Sequence, residues 1–135
     1  MDGSVCSGMT CKIETERRVL VVEDDAPSMR VVSDALRFHG YVVIEATDAE
    51  EAVRLAKTEM PGLVLMDIML GEQDGYTACS RIKSRPETSG IPVLMLTALG
   101  FDLNKKLARD VGADGYIVKP IAIDTLADTV AACFE

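Results

Sequence analysis

No apolar run in this chain is longer than six residues, far short of the roughly 20 needed to cross a bilayer. The opening segment MDGSVCSGMTCKIETERR has no continuous apolar stretch either, which excludes a secretory signal peptide. A cytoplasmic protein with no membrane partner is the default expectation. Basic residues are also few: 14 Lys and Arg stand against 22 Asp and Glu, for a net charge of −8. A domain that grips nucleic acid usually presents a basic surface, so direct nucleic-acid binding is disfavoured. The four cysteines (Cys6, Cys11, Cys79 and Cys133) show no CxxC spacing, and the chain has a single histidine. Zinc binding and a disulfide framework therefore have little support. Cys79 and Cys133 fall at apolar positions of helical patterns and read as buried thiols.

What is present is a soluble, globular composition: 135 residues, 48% hydrophobic and 27% charged, enough for one domain with a sizeable core. Residues 1–17 read as a disordered leader or an expression remnant, with Met9 as an alternative start, and residues 18–135 as the domain. Short β-branched runs at 18–22, 41–46, 62–66, 92–96 and 115–118 predict five strands. Helical spacing fills the intervals. Met29, Val32, Leu36 and then Phe38 stripe the first helix, with Pro27 in its first turn and Gly40 past its end. Ala49, Ala52, Val53 and Ala56 mark the second, and Gly75 to Lys83 the third. Leu103, Leu107 and Val111 mark the fourth, and Leu126, Val130 and Phe134 the fifth. Strands alternating with helices imply an α/β fold, a parallel sheet covered on both faces.

All strands of a parallel sheet point the same way, so their C-terminal ends share one edge, where ligands bind. The stretch VLVVEDD places Glu23, Asp24 and Asp25 at the end of the first strand. LVLMD gives Asp67, VLMLTA gives Thr97 and YIVKP gives Lys119. Strand two ends in Glu45-Ala46-Thr47, which suits a sheet edge. Taken singly, each of these is an ordinary cap or turn residue. Together they direct acids, a hydroxyl and an ammonium to one pocket. Crowded carboxylates repel, and become favourable around a hard divalent cation such as Mg²⁺. Near such an ion a carboxylate can act as nucleophile toward a phosphoryl group.

In this set of residues the chain from 18 to 135 resembles the receiver domain of bacterial two-component response regulators, the CheY-like superfamily. The resemblance implies a (βα)5 doubly wound, flavodoxin-like fold with five strands in the order 2-1-3-4-5. It makes Asp67 the phosphoacceptor, charged by a sensor histidine kinase or a histidine phosphotransfer protein. Mg²⁺ would be held by Glu23, Asp24, Asp67 and the backbone carbonyl of Met69. Thr97 and Lys119 would contact the phosphoryl group, and Thr97 and Tyr116 would form the switch that alters the surface of helix 4, strand 5 and helix 5. Lys119-Pro120 resembles the family's cis peptide bond, and Ala98 the small residue beside the Thr. The output would be a downstream protein or, if the chain is a fragment, its own output domain, acting as monomer or phosphorylation-linked dimer.

Three positions bear on how the chain compares with the family pattern. Gly71 stands where a Pro is common, which predicts a more mobile loop beside Asp67. Met69 and Leu99 are both apolar at positions that tune loss of phosphate, which predicts slow self-dephosphorylation. His39, beside Gly40, reads as a cationic residue at a helix C-terminus and leaves the chain without a phosphodonor histidine of its own. No turnover of an external substrate is expected. The alternative is a Mg²⁺-dependent aspartyl-phosphate phosphatase of the haloacid-dehalogenase type, which needs a second Asp where Met69 stands. A third possibility is a degenerate receiver that binds partners without being phosphorylated.

Overall fold

The computed structural model describes residues 17–70, 73–97, 105–119 and 122–134. Five strands alternate with five helices: β1 Arg18–Val22, α1 Ala26–Phe38, β2 Val42–Ala46, α2 Ala49–Glu59, β3 Leu63–Asp67, α3 Gly75–Lys83, β4 Val93–Thr97, α4 Lys105–Asp110, β5 Gly115–Val118 and α5 Ile123–Cys133. The strands pair in parallel in the order β2-β1-β3-β4-β5. This is the expected flavodoxin-like order, with β2 at the edge. Chain direction across the sheet reverses between β1 and β3, which puts the switch point between those two strands.

Alternation along the strands explains why both faces are covered. Leu20, Val22, Val64, Met66, Val93 and Met95 pack toward Ala52, Ala56, Cys79, Ile82 and Ala108 of α2, α3 and α4. Val19, Val21, Leu63, Leu65, Leu94 and Leu96 pack toward Met29, Val32, Leu36, Leu126 and Val130 of α1 and α5. Each such large side chain, taken fully out of water, contributes about 1.5–3 kcal/mol before the entropy of ordering is subtracted. No helix among the described residues is long and apolar enough to cross a membrane.

The local signals that start and stop α1 are explicit. The Asp25 carboxylate caps it by accepting from the Ser28 N–H at 3.0 Å, and Pro27 occupies the first turn. At the other end His39 is the C-cap, its Nδ1 lying 3.0 Å from the Ala35 carbonyl oxygen, and Gly40 takes a φ of +91°. Helix α2 stops differently. Its C-cap is Met60, a non-glycine residue in the left-handed region at φ +46°.

Two expectations need correction. Phe38 is not part of the buried stripe of α1 but is 85% exposed. It lies two residues beyond Leu36, about 200° around the helix, so it points away from the sheet. Leu107 is likewise on the outer side of α4, whose buried position is Ala108. The segment after Asp67 adds an element that no period in the sequence announces. Met69–Leu70 and Gln73–Asp74 pair antiparallel as a short ribbon. The expectations resting on Cys6, Cys11, Gly71, Ala98, Leu99, Leu103 and Pro120 lie outside the described residues.

Candidate functional site

The C-terminal edge of the sheet collects residues far apart in the chain. Asp67 ends β3, and its register partner on β4 is Leu96, so Thr97 stands one residue beyond it on the neighbouring strand. Lys119 follows β5, its backbone N–H donating to the Thr97 carbonyl at 2.7 Å. Glu23 follows β1, with its N–H donating to Ala46 of β2 at 3.0 Å. Four strands thus fix the backbone from which these side chains depart, and the sheet itself is the rigid element beneath the site.

The side chains converge. One carboxylate oxygen each from Glu23, Asp24 and Asp67 lies within 4.8 Å of the others. Lys119 Nζ donates to Glu23 Oε1 at 2.6 Å and to Asp67 Oδ2 at 3.4 Å. The other oxygen of Asp67, Oδ1, accepts from the Met69 N–H at 3.1 Å. Glu23 is almost wholly buried and Asp67 nearly so, whereas Asp24 is exposed. The pocket is thereby open on the Asp24 side and closed behind Glu23.

Electrostatics follow from this burial. Loss of hydration, reinforced by the neighbouring Asp67, pushes the Glu23 carboxyl up to about 7 although Lys119 pulls it back. Burial also acts on Lys119, favouring its neutral form. The hydrogen bond to Glu23 and the charge of Asp67 outweigh it, so the ammonium is held above its ordinary range. Three carboxylates facing one ammonium leave the pocket short of positive charge. Hard oxygen donors gathered in this way suit a small divalent cation that keeps part of its water shell.

Thr97 supplies a second, independent sign of a ligand. It is 3% exposed, and among the described residues its Oγ1 is a buried hydroxyl with no hydrogen-bond partner. Native structures rarely leave such a group unsatisfied unless something else is meant to occupy it. Tyr116, in contrast, is half-exposed on β5 at the register position of Met95. Asp25 does not join the acid cluster through its side chain, which caps α1. Its backbone N–H instead faces Glu23 Oε2 at 3.4 Å.

One contributor was missed by inspection of the sequence. Gly75, the first residue of α3, is buried, and its N–H donates to the Ile68 carbonyl at 2.7 Å. A side chain there would run into the backbone of Asp67 and Ile68. The only visible signal was a glycine at a helix start, where glycine is common enough to call for no further role.

Comparison with known proteins places this arrangement. Residues 19–131 match the response regulator receiver domain family. RpaA of Synechocystis sp., described as a DNA-binding dual master transcriptional regulator, is 39% identical over 115 residues, covering 85% of this chain and 48% of that protein. The chain spans a little under half the length of the curated relatives it matches. Among solved structures, chemotaxis protein CheY4 of Vibrio cholerae superposes with a TM-score of 0.82 at 27% identity, covering 88% of this chain and 99% of that one. The receiver domain of a Pseudomonas aeruginosa sensor histidine kinase superposes with a TM-score of 0.81 at 28% identity, covering 89% of this chain and 98% of that one. That structure holds a magnesium ion in its active site cleft.

Proposed function

The chain belongs to the response regulator receiver domain family, and on that premise we propose that it accepts a phosphoryl group on Asp67 from the phosphohistidine of a sensor histidine kinase or histidine phosphotransfer protein. The observation that carries this reading is the meeting of Glu23, Asp24, Asp67 and Lys119 beside the buried, unpartnered hydroxyl of Thr97.

Glu23, Asp24, Asp67 and the carbonyl of Met69 would hold Mg²⁺. Bound there, the ion neutralises negative charge that would otherwise oppose the approach of phosphate to three carboxylates. The chain's own residues do the rest. The Met69 N–H on Oδ1 and Lys119 on Oδ2 hold the Asp67 carboxylate in a fixed orientation. One of its oxygens attacks phosphorus and an acyl phosphate forms. The phosphorus–nitrogen bond of the donor breaks, its electron pair returning to that nitrogen, and because the other ring nitrogen of the phosphohistidine carries a proton the imidazole leaves neutral. Lys119 and the Thr97 hydroxyl then contact phosphoryl oxygens. Satisfying Thr97 in this way displaces it toward the phosphate, and Tyr116 on the adjacent strand follows.

The result is a shift between two states of the surface formed by α4, β5 and α5. That surface would serve a downstream protein or an output domain in a longer chain, in the cytoplasm. The DNA-binding description of RpaA makes a transcriptional output the natural class. A phosphatase of the haloacid-dehalogenase type would need an acid where Met69 stands, and the exposed Met69 side chain offers no proton.

Incubation with Mg²⁺ and acetyl phosphate, followed by intact mass measurement, separates the alternatives. The proposal predicts gain of one phosphoryl group, abolished by a chelator and in Asp67→Asn. Sustained release of inorganic phosphate without mass gain would indicate a phosphatase. No gain and no release would indicate a receiver that works without phosphorylation.

A further inference from the structure

We propose that Gly75 is a positioning residue for Asp67, acting through the backbone rather than through any contact with the phosphoryl group. This rests on the reading of Asp67 as phosphoacceptor. Three observations meet at this glycine. Its N–H donates to the Ile68 carbonyl at 2.7 Å, closing the chain that leaves β3 and returns to start α3. Between these two points the ribbon pairs Met69 with Asp74, immediately before Gly75. The Met69 N–H in turn holds Asp67 Oδ1 at 3.1 Å. The path of the backbone at Met69, and with it the orientation of the carboxylate, is therefore fixed by how closely residue 75 approaches residues 67 and 68.

The approach is too close for any side chain. A Cβ on Gly75 would collide with the Asp67 carbonyl oxygen and lie 3.0 Å from both the Asp67 carbonyl carbon and the Ile68 Cα. These are backbone atoms at the last residue of a central strand and the one after it, with no flexible end to swing aside. The conformation of Gly75 itself is not the reason, because its φ lies outside the left-handed region. Helix propensity points the opposite way, since alanine at this position would favour α3. A substitution that helps the helix is thus expected to harm the site. Displacing Asp67 and Met69 by several tenths of an ångström would misalign the attacking oxygen, and small misplacements of a reacting group cost on the order of 10- to 100-fold in rate.

Gly62 provides the control. A Cβ there would collide with the ring of Phe134, a side chain, at the far end of β3. Gly62→Ala thus crowds a ring that can turn aside, away from the site, whereas Gly75→Ala presses on backbone beside it. The test measures phosphorylation by acetyl phosphate at saturating Mg²⁺, as maximal rate and half-saturating donor concentration, together with the amide shift of Met69 by NMR. Gly75→Ala is expected to lower the maximal rate about 10- to 100-fold and move the Met69 amide resonance, while Gly62→Ala keeps the rate and the resonance of the unaltered chain. Both variants are also made with Met60→Gly, which relieves a left-handed methionine at the end of α2 and so adds stability to the crowded forms. Unaltered kinetics in Gly75→Ala, or equal losses in both variants, would overturn the proposal. If the unaltered chain takes up no phosphate, it is the assignment of Asp67 that fails; the Met69 resonance still reports on Gly75.

Discussion

Replacing Thr97 by valine should stabilise the unphosphorylated protein while disabling it. The hydroxyl of Thr97 is 3% exposed and without a hydrogen-bond partner. Stripping water from a hydroxyl and giving nothing back costs about 1–3 kcal/mol. Valine has the same branched shape, so Thr97→Val removes that cost and adds an apolar methyl among buried neighbours on β4. A gain of about 1–2 kcal/mol is expected, allowing for some relaxation around the hydroxyl in the parent. For a domain of this size each kcal/mol moves the Tm by about 4 °C, so a rise of about 4–8 °C should appear in calorimetry without Mg²⁺ or phosphodonor. The same variant should still acquire phosphate on Asp67 but fail to transmit it. The tyrosine resonance of Tyr116 would then no longer respond to phosphorylation. A lowered Tm would refute the reasoning, because it would mean that the hydroxyl already has a partner before phosphate arrives.

Other consequences are as direct. Met60 holds a left-handed backbone at the end of α2 without being glycine, so Met60→Gly should stabilise the fold by about 1 kcal/mol in urea unfolding. A loss would mean that the half-exposed methionine side chain matters more than its backbone. Burial pushes the Cys79 thiol from 9.0 up to about 11, so Cys79 should resist alkylation at pH 8 in folded protein and react only on unfolding, as mass mapping would show. Because the unfolded thiol ionises first as pH rises past 9, the contribution of Cys79 to stability should hold below that pH and be lost toward 11. Met69→Asn and Leu99→Glu should shorten the lifetime of phosphate on Asp67, by opening the acyl phosphate to water. Unchanged decay in both would remove the shielding argument.

The five strands and the edge that carries the site could be expected from the apolar runs, whereas the strand order followed only from the resemblance to receiver domains. A buried parallel strand is written as a continuous apolar run, and the first polar residue after it marks the edge where the chain emerges. Glu23, Asp67, Thr97 and Lys119 each terminate such a run, so their convergence followed from topology. Side-chain partnership was not so legible. Lys119 reaches Glu23 more closely than Asp67, because Glu23 is the more deeply buried acid and a long carboxylate can lean toward the ammonium. Nothing in the spacing distinguishes those two pairings. Phe38 was misplaced because its size suggested the core, although its offset from Leu36 puts it on the opposite side of α1. Gly75 was overlooked because its role depends on two backbones touching, and a glycine without side chain or positive φ leaves no mark in composition or periodicity.

The most direct measurement is to locate the phosphoryl group itself. The protein is treated with Mg²⁺ and acetyl phosphate, reduced with borohydride to convert any acyl phosphate to homoserine, digested and sequenced by mass spectrometry. Homoserine at position 67 and at no other aspartate is the predicted result. Homoserine at Asp24 or elsewhere, or none at all, would contradict it.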